Sequence, residues 1–135
     1  MFFLETFSFK KDEESGTEAA TTTLEQEQEQ VEEEKNLCCF NCGSAITSDK
    51  QRIAVGDSHE HTFVNPGGFV FHIGCFREAP GCLQVGESTR ENSWFSGYAW
   101  NYALCASCYT HLGWMYHADD QQPFYGLILD RLISF

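Results

Sequence analysis

The chain predicts a mostly β domain, clamped by a four-cysteine metal site and preceded by an acidic tail. Three observations lead there. Two Cys-x-x-Cys pairs, Cys39–Cys42 and Cys105–Cys108, stand 62 residues apart. Around them, short aromatic and β-branched runs are broken by Gly, Pro, Asn and Ser, the pattern of short strands joined by turns. Ahead of both pairs, residues 10–36 are low-complexity and dominated by Glu, Gln, Thr and Ser.

Residues 1–36 hold 11 acidic and 3 basic side chains, so −8 of the formal −12 charge sits there. Between residues 10 and 36, Leu24 and Val31 are nearly the only large apolar residues. Such a segment cannot bury enough surface to offset its chain entropy, and a disordered tail is expected. Thr23 to Lys35 favours no more than a transient solvated helix. The start, Met1-Phe2-Phe3-Leu4-Glu5, has no basic n-region, and Glu5 interrupts its apolar run. No stretch reaches the ~20 apolar residues of a membrane span. A cytoplasmic protein with reduced thiols and no membrane partner is expected.

The domain proper is expected at residues 37–135. Residues 37 onward hold 9 acidic and 5 basic side chains, a net −4. That charge repels phosphate backbones, which argues against nucleic acid. The strand candidates are Arg52–Val55, His61–Val64, Phe69–Phe76, Ser93–Phe95, Ala99–Leu104 and Gly113–His117. The last run, Phe124–Ile133, fits a strand or one helical turn. Asn65-Pro66-Gly67-Gly68 is a strong turn, because Pro presets φ and Gly permits positive φ. A domain of this size buries a modest core, so a metal clamp adds useful stability.

Each Cys-x-x-Cys pair can hold two thiolates on one side of a tight turn. Cys39, Cys42, Cys105 and Cys108 together supply the tetrahedral sulfur set of one structural Zn2+ per chain. Cys38 offers a competing register, but only Cys39 leaves two residues before Cys42. No βαβ pattern flanks either pair, so a redox motif is not indicated. The chain has seven cysteines. The odd count, with Cys38, Cys75 and Cys82 left over, does not suit a secreted disulfide framework.

All three tryptophans lie between residues 94 and 114. Trp94 and Trp100 flank Phe95-Ser96-Gly97-Tyr98-Ala99. With an odd-length hairpin loop they would face one another, and with a two-residue loop they would point to opposite faces. Trp114 and Tyr116 are two apart in a strand candidate and share a face. Four aromatics can thus converge into a box, or they can simply be core. His72 and Cys75 suggest a Cys/His nucleophile only weakly, and packing within an apolar run is the expectation. His59 and His61 fit a solvated edge. His111 follows Cys108 by three residues, but four cysteines already fill a tetrahedral site. Glu60 and Glu91 form no acid/base dyad in the sequence. No P-loop or dinucleotide fingerprint occurs.

The segment Glu91-Asn92-Ser93-Trp94-Phe95-Ser96-Gly97-Tyr98-Ala99-Trp100 resembles the cereblon thalidomide-binding (CULT) domain family. So do Phe63-Val64-Asn65-Pro66-Gly67-Gly68, Cys105–Cys108 and His111-Leu112-Gly113-Trp114, in the same order. The ending Phe124-Tyr125-Gly126-Leu127 also fits, and its continuation looks like the bacterial single-domain members. The resemblance covers about residues 37–133. It implies a β-tent, two antiparallel sheets at a steep angle joined near a four-cysteine zinc site. It implies a ligand class, cyclic imides of the glutarimide and thalidomide type and uridine-like rings, free or carried on a modified protein. In the family pattern Trp94, Trp100 and Trp114 form three walls, Tyr116 replaces a further aromatic, and Asn65 and Pro66 line the rim. Backbone groups at Asn92 and Trp94, flanking Ser93, read the imide edge. Asn92 departs from the family, where cereblon carries histidine, so the resemblance carries over the backbone contact there and not the side-chain contact. The resemblance covers the ligand domain alone, so ubiquitin-ligase substrate reception is not carried over.

The expected function is a monomeric, non-enzymatic, small-ligand binding module. One alternative is an aromatic-cage reader of methylated ammonium groups, with Glu91 near the box. A second is an enzyme similar to B-type methionine sulfoxide reductases. These need a reactive cysteine late in the chain, and this chain has none after Cys108.

Overall fold

A computed structural model describes residues 34–135; the tail expected at residues 1–36 lies outside them up to residue 33. The strands are β1 (Asn36–Cys39), β2 (Ala45–Ser48), β3 (Glu60–Val64), β4 (Val70–Phe76) and β5 (Cys82–Thr89). They continue with β6 (Ala99–Cys105), β7 (His111–Ala118), β8 (Gln121–Ile128) and β9 (Leu132–Ile133). Short 3-10 turns occupy Asp49–Gln51 and Leu129–Arg131. A small sheet runs β9-β1-β2 and a large sheet β3-β4-β8-β7-β6-β5, with every pairing antiparallel.

The large sheet buries both faces, each against a different cover. On one face Phe76, Ala103, Cys105 and Leu127 meet Leu37, Cys39 and Ile46 of the small sheet. On the other, Ile73, Cys75, Trp114, Tyr116, Phe124 and Ile128 meet Phe95 of the β5–β6 connection. The first cluster is largely aliphatic and thiol; the second is aromatic. Strand alternation explains the division, since successive side chains leave a sheet on opposite sides. Each fully buried Phe, Leu or Ile in these layers stabilises by about 1.5–3 kcal/mol relative to exposure.

The candidates at His61–Val64, Ala99–Leu104 and Gly113–His117 lie within β3, β6 and β7, and Phe69–Phe76 matches β4 from Val70 onward. The Asn65–Gly68 turn forms, with Gly68 N–H donating to Asn65 O at 2.9 Å. Phe124–Ile133 proves to be the end of β8, a 3-10 turn and β9.

Other readings need correction. Arg52–Val55 forms isolated bridges, Arg52 to Phe76 and Val55 to Ser58, rather than a strand. Ser93–Phe95 is loop. Neither hairpin reading of Trp94 and Trp100 holds: β5 and β6 pair instead, with Thr89 opposite Trp100. Trp94 therefore sits inside the long loop 90–98. β1, β2 and β5 went unread: β1 and β2 are only four residues long, and polar and glycine residues interrupt β5. His72 is exposed, not packed: Nε2 lies 2.8 Å from Glu60 Oε1 and Nδ1 2.9 Å from Thr62 Oγ1. Cys75 is fully buried.

Candidate functional site

The four cysteines of the two pairs converge. Their sulfur atoms all lie within 4.8 Å of one another. The two knuckles are built alike. Cys39 N–H donates to Ser44 O and Gly43 N–H to Cys39 O, each at 2.8 Å. Cys105 N–H donates to Thr110 O and Tyr109 N–H to Cys105 O, also at 2.8 Å. In each, the residue after the second cysteine has positive φ: Gly43 at 82° and Tyr109 at 65°. Glycine takes this conformation freely, whereas tyrosine is strained there.

The arrangement fits a metal ion. A tetrahedral centre with metal–sulfur bonds of about 2.3 Å sets its sulfurs about 3.8 Å apart. Cys39 Sγ and Cys108 Sγ are 3.7 Å apart, and Cys42 Sγ and Cys105 Sγ 3.6 Å. Polar neighbours prepare the sulfurs for negative charge. The Thr110 hydroxyl, then the Asn41 amide, bring the Cys108 thiol down to about 6. The Ser44 hydroxyl lowers Cys42. Burial pushes Cys105 up to about 11, a penalty that a coordinated cation removes by holding the thiolate. Ser44 Oγ also donates to Ser107 Oγ at 2.9 Å, joining one knuckle to the other. Cys75 and Cys82 stand outside the set, and burial pushes each up to about 12. Both are thiols at neutral pH, and the thiol is a poor nucleophile.

On the aromatic face of the large sheet lies a cavity of about 390 Å³. Trp94, Trp100 and Trp114 line it together with Tyr116, Asn65, Pro66 and Asn92. Ser93 does not line it; its hydroxyl donates to Phe95 O at 3.0 Å. Phe71, Tyr102 and His111 line it as well, and the sequence reading had not placed them there.

Each wall is fixed by a separate device. Phe95 is buried edge-on against Tyr116 and Phe124, with ring centres 4.8 and 5.0 Å apart, and anchors loop 90–98. Trp94 follows from that anchor and stacks on Phe63 at 4.8 Å. Its indole meets Trp114 edge-on, also at 4.8 Å. The Trp100 indole N–H donates to Glu91 O at 2.8 Å, which holds the third wall. Asn92 has φ 57°, a left-handed conformation that asparagine tolerates. Tyr116 stacks on Phe124, and burial raises its phenol above the usual range.

A bulge in β7 explains His111. Gly113 pairs with Ala103, but His111 pairs with Leu104, so Leu112 is the extra residue. The bulge brings His111 and Trp114, three apart, to one face, edge-on at 4.9 Å. Burial holds the His111 imidazole below its ordinary pKa, so it is neutral at pH 7. Among the described residues no Asp, Glu, Lys or Arg lines the cavity. It is an uncharged chamber with aromatic walls and a polar rim.

No family model matches the chain. Curated relatives do. "Protein cereblon" of Danio rerio is 32% identical over 104 residues, which is 73% of this chain and 24% of the relative. That of Xenopus tropicalis is 33% identical over 103 residues, 72% of this chain and 23% of the relative. That of Gallus gallus is 31% identical over 104 residues, 73% of this chain and 23% of the relative. The chain thus spans about a quarter of the length of the curated relatives it matches. With its two antiparallel sheets and four-cysteine cluster, the chain carries a domain of the cereblon-like (CULT) family.

Proposed function

We propose that this domain is a non-enzymatic receptor for small, neutral, ring-shaped ligands of the cyclic imide class, built around one structural zinc ion. The observation that carries the reading is the uncharged cavity walled by Trp94, Trp100 and Trp114. An imide presents acceptor, donor and acceptor along one edge, with a slim aliphatic ring behind. Indole faces take up the ring, and backbone groups at Asn92 and Trp94 match the polar edge. Burial of that edge then leaves no atom unpaired, which is what selects the imide over a plain ring. Asn65 and Pro66 close the rim and Tyr116 forms the floor; Ser93 acts only by shaping the loop.

The zinc ion does no chemistry in this account. It fixes β1 and the knuckle after β6 to one centre, and it uses the thiolates of Cys39, Cys42, Cys105 and Cys108. Four sulfur ligands leave no open position for a water or substrate. Catalysis by Cys75 or Cys82 is disfavoured by their burial. The domain is assigned to residues 37–135, acts as a monomer in the cytoplasm, and contacts neither membrane nor nucleic acid. Among the described residues no helix is long and apolar enough to cross a membrane.

Titration with glutarimide, uridine and trimethyl-lysine, read by tryptophan fluorescence, tests the assignment. Glutarimide is expected to give a saturable quench that changes little with salt, since the ligand is uncharged. A preference for trimethyl-lysine that weakens as salt rises would instead identify a cation cage.

A further inference from the structure

The three tryptophan walls of the cavity are not held alike. Trp94 stacks on Phe63 and meets Trp114 edge-on. Trp114, 8% exposed, also packs edge-on against Phe71 and His111. Trp100 has one ring neighbour among the described residues, Tyr102, edge-on at 5.2 Å and itself 44% exposed. Packing thus holds this wall least. Its indole N–H bond to Glu91 O takes over, at 2.8 Å, but that bond stands open to water, where a single hydrogen bond is weak.

The Glu91 carbonyl is itself placed by a turn. Ser93 N–H donates to Arg90 O at 3.2 Å, and Asn92, third in the turn, has φ 57°. A positive φ at the third position marks a type II turn, whose central peptide is flipped relative to type I. That flipped peptide carries Glu91 O. On its other side Glu91 N–H donates to Thr89 Oγ1 at 3.1 Å. Thr89 in turn pairs with Trp100 across β5 and β6, so their side chains share a face. A ring closes: Thr89 hydroxyl to Glu91 N–H, Glu91 O to the Trp100 indole, and Trp100 beside Thr89 in the ladder.

The register of Thr89 is also built. Val85 pairs with Tyr102 and Thr89 with Trp100, so Gly86, Glu87 and Ser88 bulge opposite Asn101 alone. The buried Asn101 amide donates to Gly86 O at 3.1 Å, and Ser88 Oγ lies 2.8 Å from His117 Nε2. Thr89 itself does not line the cavity.

We propose that Thr89 is a positioning residue for ligand binding: its hydroxyl locks the turn that holds the Trp100 indole, so the third wall stands in place before the ligand arrives. The binding part of this inference rests on the receptor reading above. A wall fixed in advance spares the ligand the cost of ordering it. Without the hydroxyl, Glu91 N–H turns to water, and the turn and the indole are free to move together.

Thr89→Val keeps the branched shape and removes only the acceptor, whereas Thr89→Ser keeps the acceptor. Full-length, zinc-loaded proteins are compared first without ligand, by NMR of the three indole N–H signals. In Thr89→Val the Trp100 signal is expected to exchange with solvent faster, with Trp94 and Trp114 unchanged. Glutarimide titration should then show binding weakened about three- to tenfold, the scale of one net hydrogen bond, with Thr89→Ser close to wild type. In a Trp100→Phe background, which lacks the indole N–H, Thr89→Val should cost nothing further. A Trp100 signal that exchanges at the wild-type rate in Thr89→Val overturns the proposal. So does equal glutarimide binding by Thr89→Val and wild type, or Thr89→Ser binding as weakly as Thr89→Val. Wild-type protein that binds no glutarimide sinks the receptor reading alone, because the exchange measurement still decides whether Thr89 holds the wall.

Discussion

The two faces of the large sheet bury comparable layers by opposite means. Behind the cysteine cluster, small side chains such as Ala103 and Cys105 let the small sheet approach closely, and four thiolates can lock it there. On the other face, wide aromatic rings are held by loop 90–98, by edge-on ring contacts and by one indole–carbonyl hydrogen bond. The first arrangement closes at its centre, where Cys39, Ala103, Cys105, Leu112 and Leu127 are fully buried. The second cannot, since bulky rings meeting edge-on leave a gap, and that gap is the cavity. The candidate metal clamp and the candidate binding cavity are thus divided between two faces of one sheet. A change behind the cysteines should unfold the domain, whereas a change at the cavity should alter binding in a folded protein.

The largest effect should come from breaking the clamp. Cys105→Ser removes one ligand, and metal binding is folding free energy in a domain of this kind. Loss of the bound metal by metal analysis, with no cooperative melt by circular dichroism, is expected. Full metal content with unchanged melting would show that the clamp is dispensable.

Acid should act next, and on both faces. His111 is held below its ordinary pKa of 6.5 in the fold, mainly by burial and in part by Arg131, whose guanidinium donates to His111 O. The unfolded chain therefore takes up a proton near pH 6.5 that the folded chain resists. The His111 contribution is whole above that pH and is lost as pH falls through and below it. Chemical denaturation at pH 7.5 and pH 5.5 should show a loss of stability that shrinks in His111→Gln. An equal loss in both proteins would show that groups other than His111 carry the acid effect.

Much of this division is legible in the sequence, because its strongest signals are spacings. The Cys-x-x-Cys pairs place two donors on each turn whatever lies between, and the structure brings all four together. Period-two spacing puts Trp114 and Tyr116 on one face, and both line the cavity. The same rule, carried from Trp100 to Tyr102, would have found a further lining residue. His111 was not reachable that way, because the β7 bulge breaks the period between it and Trp114. Phe71 requires knowing how β4 sits relative to loop 90–98, which is a tertiary fact. β5 was missed because its side chains are mostly exposed, so apolar patterning had nothing to report.

Smaller effects sharpen the contrast. Tyr109 holds φ 65° in the second knuckle, where the first has Gly43. The left-handed penalty of about 1–2 kcal/mol outweighs the extra chain entropy of glycine, about 0.5–1 kcal/mol. Tyr109→Gly should therefore raise stability by about 0.5–1 kcal/mol without touching ligand affinity; a lower melting temperature would contradict the strain argument. Smallest of all should be removal of residues 1–33. Their acidic composition carries no core-forming pattern, so melting and ligand affinity should stay nearly unchanged. A large drop in either would show that the Phe-rich start contributes to the domain.

The most direct measurement is glutarimide titration of wild-type protein and Trp100→Ala, with zinc content and melting recorded on the same samples. Trp100 contributes a wall of the cavity and nothing to the cysteine cluster. The account predicts a saturable quench in the wild type. In the variant it predicts retained zinc, a cooperative melt and binding weaker by about 2 kcal/mol or more, the scale of a buried aromatic hot spot. Equal binding by both proteins, or no saturable quench at millimolar glutarimide, would contradict it and leave the three tryptophans as core.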